Sequence, residues 1–598
     1  MLSIGTPTEH SLPLKHAAFA TLTDALEYAS RGETGYNFYD GRGKLYCRLP
    51  YADLYQQARS TARRLRSLGL PRGSRMVLVA ETCPDFVRFF YACQLAGLTP
   101  VPVPAAVHLG GREAYIRQLR RLIQSSTPML AMAPPDYLDM LRCACSGLPV
   151  QHIGDAAHFD QLSASDDSPL QPLQPDELAY LQYTSGSTQF PRGVMITQSA
   201  VMHNLNGILE HGLAMGATDR CVSWLPFYHD MGLVGLLLAP MATQRSVDYI
   251  GTRDFAMRPR LWLNIMSQTG GTVSFSPPFG YELCARRVRE SDLERLDLSA
   301  WRVAGVGAET IRPSSLHNFA TALQPAGFNP NAFLACYGMA EVSLAISFAP
   351  LGREVIIDTV DADHLGQQQI ARSVDNCAAT DGHTTARVNH FVRCGHSLPG
   401  MDVQIRDEHG KVVPDRHCGT IFVRGPSLMT GYLDQPEITA SVLSDGWLNT
   451  GDMGYMIDNE IIITGRQKDM IIINGRNIWP QDLEYIAERQ PEIRPEDASA
   501  FAVIENDKRE VAVMVVQCRQ ADPAVRNDLA ERLRAAVHAE MGIECRIDLV
   551  PPHTLPRTSS GKLSRSGAKQ DYLLRQQQRS EQADRQQHSN RQASPVSH

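Results

Sequence analysis

Leu181-Gln182-Tyr183-Thr184-Ser185-Gly186-Ser187-Thr188-Gln189-Phe190-Pro191-Arg192-Gly193-Val194 packs five hydroxyl side chains around two glycines, between an apolar-rich lead-in and a segment that reads as helical. Backbone N–H groups and hydroxyls in such a run converge on an anion, so the stretch is expected to cradle a triphosphate. The Walker pattern is absent, because no Gly-Lys-Ser/Thr follows a glycine at the required distance. A Ser/Thr/Gly-rich surface loop has the same composition, so partners elsewhere in the chain must decide.

On the N-terminal side of this stretch, Leu54, Ala58, Ala62, Leu65 and Leu68 recur at helical spacing among Arg59, Arg63, Arg64 and Arg66, and Gly69 ends the helix. A strand over 76–80, a helix over 84–96 opened by Pro84 and closed at Gly97, a strand over 99–103, a helix over 112–125 and a strand over 129–133 follow. Regular alternation predicts a mostly parallel sheet covered on both faces. On the C-terminal side, a helix over 199–211 precedes strands over 221–225, 272–276, 301–306 and 333–336, and the apolar run 235–241 reads as a buried helix. Several of these strands end in polar or Gly-bearing turns, where ligands of open α/β sheets sit.

Residues 351–389 break the rhythm: one strand is expected over 355–360, and the remainder is rich in Asp, Gln, Thr and His. Such composition suits a flexible surface insertion or a module that controls motion. Short antiparallel strands are expected over 403–405, 420–423, 454–457 and 461–464. From 465 a compact α+β unit of roughly 110 residues follows. The Gln/Arg/Ser-rich stretch 575–598 is expected to be disordered.

The 598 residues exceed what one core serves, and 43% hydrophobic with 20% charged residues is ordinary for a globular enzyme. A net charge of -7 argues against general nucleic-acid binding, and no apolar run is long enough for a membrane span or secretory signal. Thirteen cysteines without repeated short spacing fit neither a disulfide framework nor a zinc site, and point to a reducing cytoplasm.

Five ordered motifs carry a family resemblance across roughly residues 40 to 570: the opening stretch, Tyr337-Gly338-Met339-Ala340-Glu341, Thr450-Gly451-Asp452, Gly465-Arg466-Gln467-Lys468-Asp469 and Pro556-Arg557-Thr558-Ser559-Ser560-Gly561-Lys562. Together they resemble the adenylate-forming enzymes, which include acyl-CoA synthetases, luciferases and adenylation domains. Within that family the chain looks most like a fatty acyl-AMP ligase. That likeness rests on residues 223–233, 281–287 and 475–480, and on the insertion at about 351–390. The resemblance implies a large N-terminal α/β domain over 1–464, built of two α/β subdomains and a small β-barrel-like one. A small mobile α+β C-terminal domain over 465–574 and a tail complete the chain.

The implied reaction joins a fatty acid carboxylate to the α-phosphate of ATP, releasing pyrophosphate, and then passes the acyl group to the phosphopantetheine thiol of an acyl carrier or polyketide synthase protein. Two anions meet, so donors must be placed where charge builds up. By resemblance Lys562, on a mobile loop, is the catalytic donor, Glu341 with Thr184 holds Mg²⁺, and Asp452 accepts from both ribose hydroxyls. Arg466 and Arg192 add charge-assisted contacts, with Ser185, Gly186, Ser187 and Thr188 around the phosphates. Gly307, Ala308, Glu309, Cys336, Tyr337, Gly338 and Met339 resemble the walls of the adenine pocket. Trp224, Met231, Ser276 and Gly305 are candidate acyl-tunnel linings. His229 either orients the carboxylate or is a hydrogen-bonded structural residue. Lys468 matches the hinge on which the small domain rotates. Gln189 and Arg192 depart from the glycine and lysine common in the family. Arginine keeps the charge, so phosphate contact should survive.

A fatty acyl-CoA synthetase using free CoA is the alternative, against which the insertion weighs, because in fatty acyl-AMP ligases it hinders the rotation that CoA use requires. Intact Lys562, Glu341, Asp452 and Arg466 argue against a non-catalytic nucleotide-binding regulator.

Overall fold

Proline in the first turn and a left-handed glycine after the last fix helix Pro84–Ala96, whose Gly97 has φ 73°. Helix Tyr51–Ser67 packs on it and buries Tyr51, Leu54, Ala58, Ala62 and Leu65. Beneath them, strands Thr99–Val103, Arg75–Val79, Leu130–Met132 and His152–Gly154 pair in parallel in that order. Alternate residues serve opposite faces: Met76 and Leu78 join the main core, while Val77 and Val79 join a second cluster with Leu119 and Leu122 of helix Arg112–Ser126. The arrangement is a computed structural model that describes residues 12–105, 111–164, 169–184, 191–374, 387–473, 476–494, 496–504, 510–558 and 563–592.

The larger sheet runs His396–Ser397, Ala345–Phe348, Phe333–Gly338, Val303–Val306, Val273–Ser276, Cys221–Ser223, Val247–Ile250, Gly35–Tyr39, Leu45–Pro50. Its inner strands are parallel and antiparallel strands close both edges. Strands Asp402–Arg406, Gly419–Arg424, Leu443–Ser444, Trp447–Ile457 and Glu460–Arg466 form the antiparallel subdomain. Beyond it, Ala498–Ile504, Glu510–Gln517 and Cys545–Val550 form a sheet with helices Pro480–Glu488 and Pro523–Met541 around a separate apolar cluster. A large N-terminal α/β domain and a small C-terminal α+β domain are thus the architecture.

Three expectations need correction. Gly193–Thr197 is a strand, antiparallel to Leu178–Tyr183 with Gly193 opposite Tyr183, and the helix begins only at Gln198. The cradle loop therefore joins two strands, and among the described residues no helix N-terminus adjoins it. The apolar run at 235–241 is a wide π turn, Met231–Leu238, followed by the short helix Ala239–Ala242. Over 575–592 the expected disorder gives way to helix Arg565–Gln592, anchored by buried Ala568 and Tyr572 and by Arg575 on Asp548 at 2.8 Å, while 593–598 lie outside the described residues. Glutamine and arginine are good helix formers, so the helix continues past its anchor.

The insertion holds strand Ile357–Asp361, helix Ala362–Gln368 and strand Val388–Val392, the two strands pairing antiparallel. Among the described residues no helix is long and apolar enough to cross a membrane, and the cysteines are free thiols.

Candidate active site

A cavity of about 430 Å³ opens where strands Val303–Val306 and Phe333–Gly338 end. Thr184, Arg192, His229, Met231, Ala308, Cys336, Tyr337, Gly338, Met339, Glu341, Arg466 and Lys468 line it, so residues from distant segments meet. Glu309 and Asp452 line an adjoining cavity of about 290 Å³, which shares Ala308, Cys336, Tyr337, Gly338 and Arg466 with the first. Ser185, Gly186, Ser187, Thr188, Gln189 and Lys562 lie outside the described residues.

The backbone is tight at this junction. A Cβ on Gly307 would lie 2.7 Å from the Cys336 carbonyl oxygen and 2.8 Å from its Sγ, so glycine lets the two strand ends close up. Ala308 follows in the left-handed region at φ 68°, and Ser343, at φ 65° and ψ -58°, ends the 3₁₀ turn Ala340–Val342 that carries Glu341. Such conformations cost roughly 1–3 kcal/mol each and cluster at functional sites.

Register places Asp452 opposite Arg466 on paired strands. Tyr337 Oη donates to Asp452 Oδ2 at 2.8 Å, and Arg466 Nε meets Asp452 Oδ1 at 3.1 Å. Burial and the Asp452 charge hold the Tyr337 phenol well above its usual range, so it stays a donor. Each carboxylate oxygen keeps a spare lone pair for another donor.

A second array starts at Glu341, a residue 9% exposed. Tyr432 Oη donates to Glu341 Oε1 at 2.8 Å, and the Arg192 guanidinium lies 5.1 Å from the Tyr432 ring centroid. Burial raises the Glu341 pKa, against the opposing Tyr432 hydrogen bond. A desolvated carboxylate beside a roomy cavity fits a hard cation that keeps waters and takes its other ligands from phosphates. Among the described residues no group of three or more His, Cys, Asp or Glu side chains forms a dedicated metal cage.

Thr184 closes the base of the cradle: its N–H donates to the Arg192 carbonyl at 3.0 Å, and its Oγ1 accepts from the Arg192 N–H at 3.3 Å. His229 Nδ1 lies 2.8 Å from Asp230 Oδ1, so the ring that lines the cavity is also held in its turn. Lys468 sits in the 3₁₀ turn Gln467–Asp469, its pKa lowered first by burial and then by neighbouring Arg466.

Three expected acyl linings, Trp224, Ser276 and Gly305, face packed core and are absent from the cavity wall. Trp224 stacks on Phe255 at 3.7 Å, Ser276 Oγ donates to the Pro277 carbonyl at 2.8 Å, and the Phe275 ring fills the space beside Gly305. The apolar wall consists instead of Met231, Ile208, Leu213, Phe275, Leu344 and Phe348. Sequence reasoning also missed Tyr432, which carries no local signal, and Gln182, which lies within the opening stretch. Gln182 Nε2 donates to the Tyr228 carbonyl at 2.6 Å, and its buried Oε1 has no partner among the described residues.

The insertion touches the small domain. Asp363 Oδ1 accepts from Arg387 at 2.9 Å and from Arg476 at 3.0 Å, and Asn389 Nδ2 donates to Asp482 at 3.4 Å. Helix Ala362–Gln368 approaches so closely that a Cβ on Gly366 would lie 2.9 Å from the Asn477 carbonyl oxygen.

Two family models match: AMP-binding enzyme over residues 29–433 and AMP-binding enzyme C-terminal domain over 475–566. A Caulobacter vibrioides protein named provisionally as an acyl-CoA synthetase is 45% identical over 95% of this chain and 98% of its own. A medium-chain-fatty-acid–[acyl-carrier-protein] ligase of Moorena producens is 31% identical over 93% of this chain and 95% of its own. A solved structure, from structural and functional studies of fatty acyl-adenylate ligases of E. coli and L. pneumophila, superposes with TM-score 0.88. It is 46% identical, and the match covers 94% of this chain and 99% of that one. With both models matched and the likeness running along nearly the whole length, the chain belongs to the AMP-binding enzymes, on their fatty acyl-AMP ligase branch.

Proposed function

We propose that the protein activates a fatty acid with ATP as an acyl-adenylate and passes the acyl group to the phosphopantetheine thiol of an acyl carrier or polyketide synthase carrier domain. The observation that carries this reading is the meeting, around one junction, of the Tyr337–Asp452–Arg466 array, the Arg192–Tyr432–Glu341 array and an apolar wall.

In this reading Asp452 accepts from the ribose hydroxyls while Tyr337 and Arg466 fix its two oxygens. The adenine lies along Gly307, Ala308 and Glu309 against Tyr337. Thr184, Arg192 and the loop between them grip the phosphates, and Glu341 would hold Mg²⁺. Held there, the cation would supply positive charge to offset that of the phosphates. A carboxylate oxygen of the acid bonds to the α-phosphorus as its bond to pyrophosphate breaks, with Lys562 as the donor to the developing charge and His229 orienting the acid. The thiol sulfur then bonds to the acyl carbon, AMP leaves with the oxygen, and the thiol gives up its proton. For the second step the small domain, taken to begin at 465, rotates about Lys468. The cysteine usage supports a cytoplasmic setting.

The named function of the Caulobacter relative favours a second reading, transfer to free CoA. The contacts of Asp363, Asn389 and Gly366 with the small domain favour the carrier, since they tie the insertion to the part that must rotate. The test supplies ATP, Mg²⁺ and fatty acids of graded length, follows acyl-AMP, and then adds CoA or a carrier protein. Acyl-AMP that moves to the carrier and not to CoA is expected; ready formation of acyl-CoA overturns the carrier reading. Deleting 367–387 should raise CoA use if the insertion is the barrier.

A further inference from the structure

The apolar end of the main cavity closes on two aromatic rings, Phe275 and Phe348, 6.5 Å apart between centroids and at 82° to one another. Edge-to-face pairs of this kind are favourable in themselves. Each ring also rests on a glycine. A Cβ on Gly305 would lie 2.0 Å from the Phe275 ring, and a Cβ on Gly212 would lie 2.6 Å from the Phe348 ring. Gly305 is the cross-strand partner of Phe275, so the ring lies over a neighbour that has no side chain. Gly212 ends the wide turn Gly207–Gly212, which also brings Ile208 to the wall.

The backbones of both aromatics are fixed. Phe275 belongs to an inner strand of the large sheet, and Phe348 is paired on both sides, with Cys336 and with His396. Retreat of the rings is limited to the glycine seats they already fill, and the strands cannot slide without breaking ladder bonds.

We propose that Phe275 and Phe348, seated on Gly305 and Gly212, form the stop that sets the longest acyl chain the site accepts. The inference rests on the acyl-adenylate reading above. Up to the stop, each added methylene leaves water for an apolar wall and should raise kcat/KM about fourfold; at the stop the gain ends. Phe275→Leu and Phe348→Leu remove the rings and should move the break to longer acids. Gly305→Ala forces the Phe275 ring into the cavity and should move it to shorter ones, a change in the opposite sense that general loss of packing would not produce.

The experiment measures acyl-AMP formation against chain length for the wild type and these variants. In parallel it measures thermal stabilisation by acylsulfamoyl-adenosine analogues of graded length, which reads the same break without turnover. Opposite shifts in the leucine and alanine variants support the stop. An unmoved break in all three, or wild-type analogue binding that tightens with length and never breaks, overturns it. Absence of acyl-AMP with every acid would instead sink the adenylating reading, while the analogue series would still judge the stop. A break that responds only to Leu122→Ala, elsewhere in the cavity lining, would overturn it by placing the acyl route there.

Discussion

Removing one oxygen atom, in Tyr337→Phe, isolates the part of the site assigned to the ribose. The phenol donates to Asp452 Oδ2 at 2.8 Å, and Asp452 is 6% exposed, so water is poorly placed to replace the lost donor. A hydrogen bond to a charged acceptor is worth about 1.5–3 kcal/mol, which corresponds to about 10–100-fold in an equilibrium constant. Arg466 still holds the other oxygen at 3.1 Å, so the carboxylate keeps its place but loses the constraint on its rotation. The ribose contact is made alike in the ground state and the transition state, so the loss belongs in KM rather than kcat. ATP–pyrophosphate exchange at saturating fatty acid should show KM for ATP raised about tenfold or more, with kcat changed far less. If KM stays within about threefold while kcat collapses, Asp452 does not hold the nucleotide in the way described.

Glu341→Gln keeps the shape but removes the charge, and should raise the Mg²⁺ concentration needed for half-maximal adenylation by about tenfold; an unchanged Mg²⁺ titration would reassign the cation. Lys468→Pro should slow transfer to the carrier about tenfold more than it slows adenylation, measured as separate half-reactions, and equal losses would remove its hinge role. Asp482 titrates near pH 6, pushed up from 3.8 by burial against the pull of Asn389 and Arg387. A carboxyl with a raised folded pKa contributes stability below about pH 4 and loses it as pH rises through about 6. Asp482→Asn should therefore gain about 1–2 kcal/mol over the wild type at pH 7.5, less than the full pKa difference because the side chain is not wholly out of water. The gain should vanish at pH 4, in unfolding curves taken at both pH values; a gain equal at both would exclude titration as its source.

Helix Pro84–Ala96 and strand Thr99–Val103 were legible because punctuation and pattern agree: proline opens, glycine closes, and an apolar run follows. Strand Gly193–Thr197 was not, because Val194 and Ile196 enter the main core while Met195 packs against a second cluster, so both faces are covered and a five-residue strand shows no clean alternation beside a strong helical signal. Asp452 and Arg466 could be picked out by their motifs, whereas Tyr432 could not. It lies 91 residues from Glu341 and reaches it only through sheet pairing. Trp224, Ser276 and Gly305 mark another limit. A small or apolar residue at a strand end reads the same whether it borders a hole or the filler of one, and the Phe275 ring settles the matter through volume alone. The tail misleads for a different reason: its composition lacks apolar residues, yet one buried turn at Ala568 and Tyr572 is enough to seed a helix of strong formers.

The pairing around Tyr432 has a mechanical consequence. Tyr432 lies opposite Val194 and Gly431 opposite Met195, Leu433 donates to the Gly193 carbonyl at 2.8 Å, and Met429 donates to the Glu341 carbonyl at 2.8 Å. The outgoing strand of the cradle, Tyr432 and Glu341 are therefore stitched into one block by backbone hydrogen bonds. In the proposed mechanism such a block would act as a stator: torque from a small domain turning about Lys468 would pass through the chain there and leave the grip on the departing anion undisturbed. Product release and domain rotation would then be separate motions with separate barriers, and a mutation would be free to slow either one without the other.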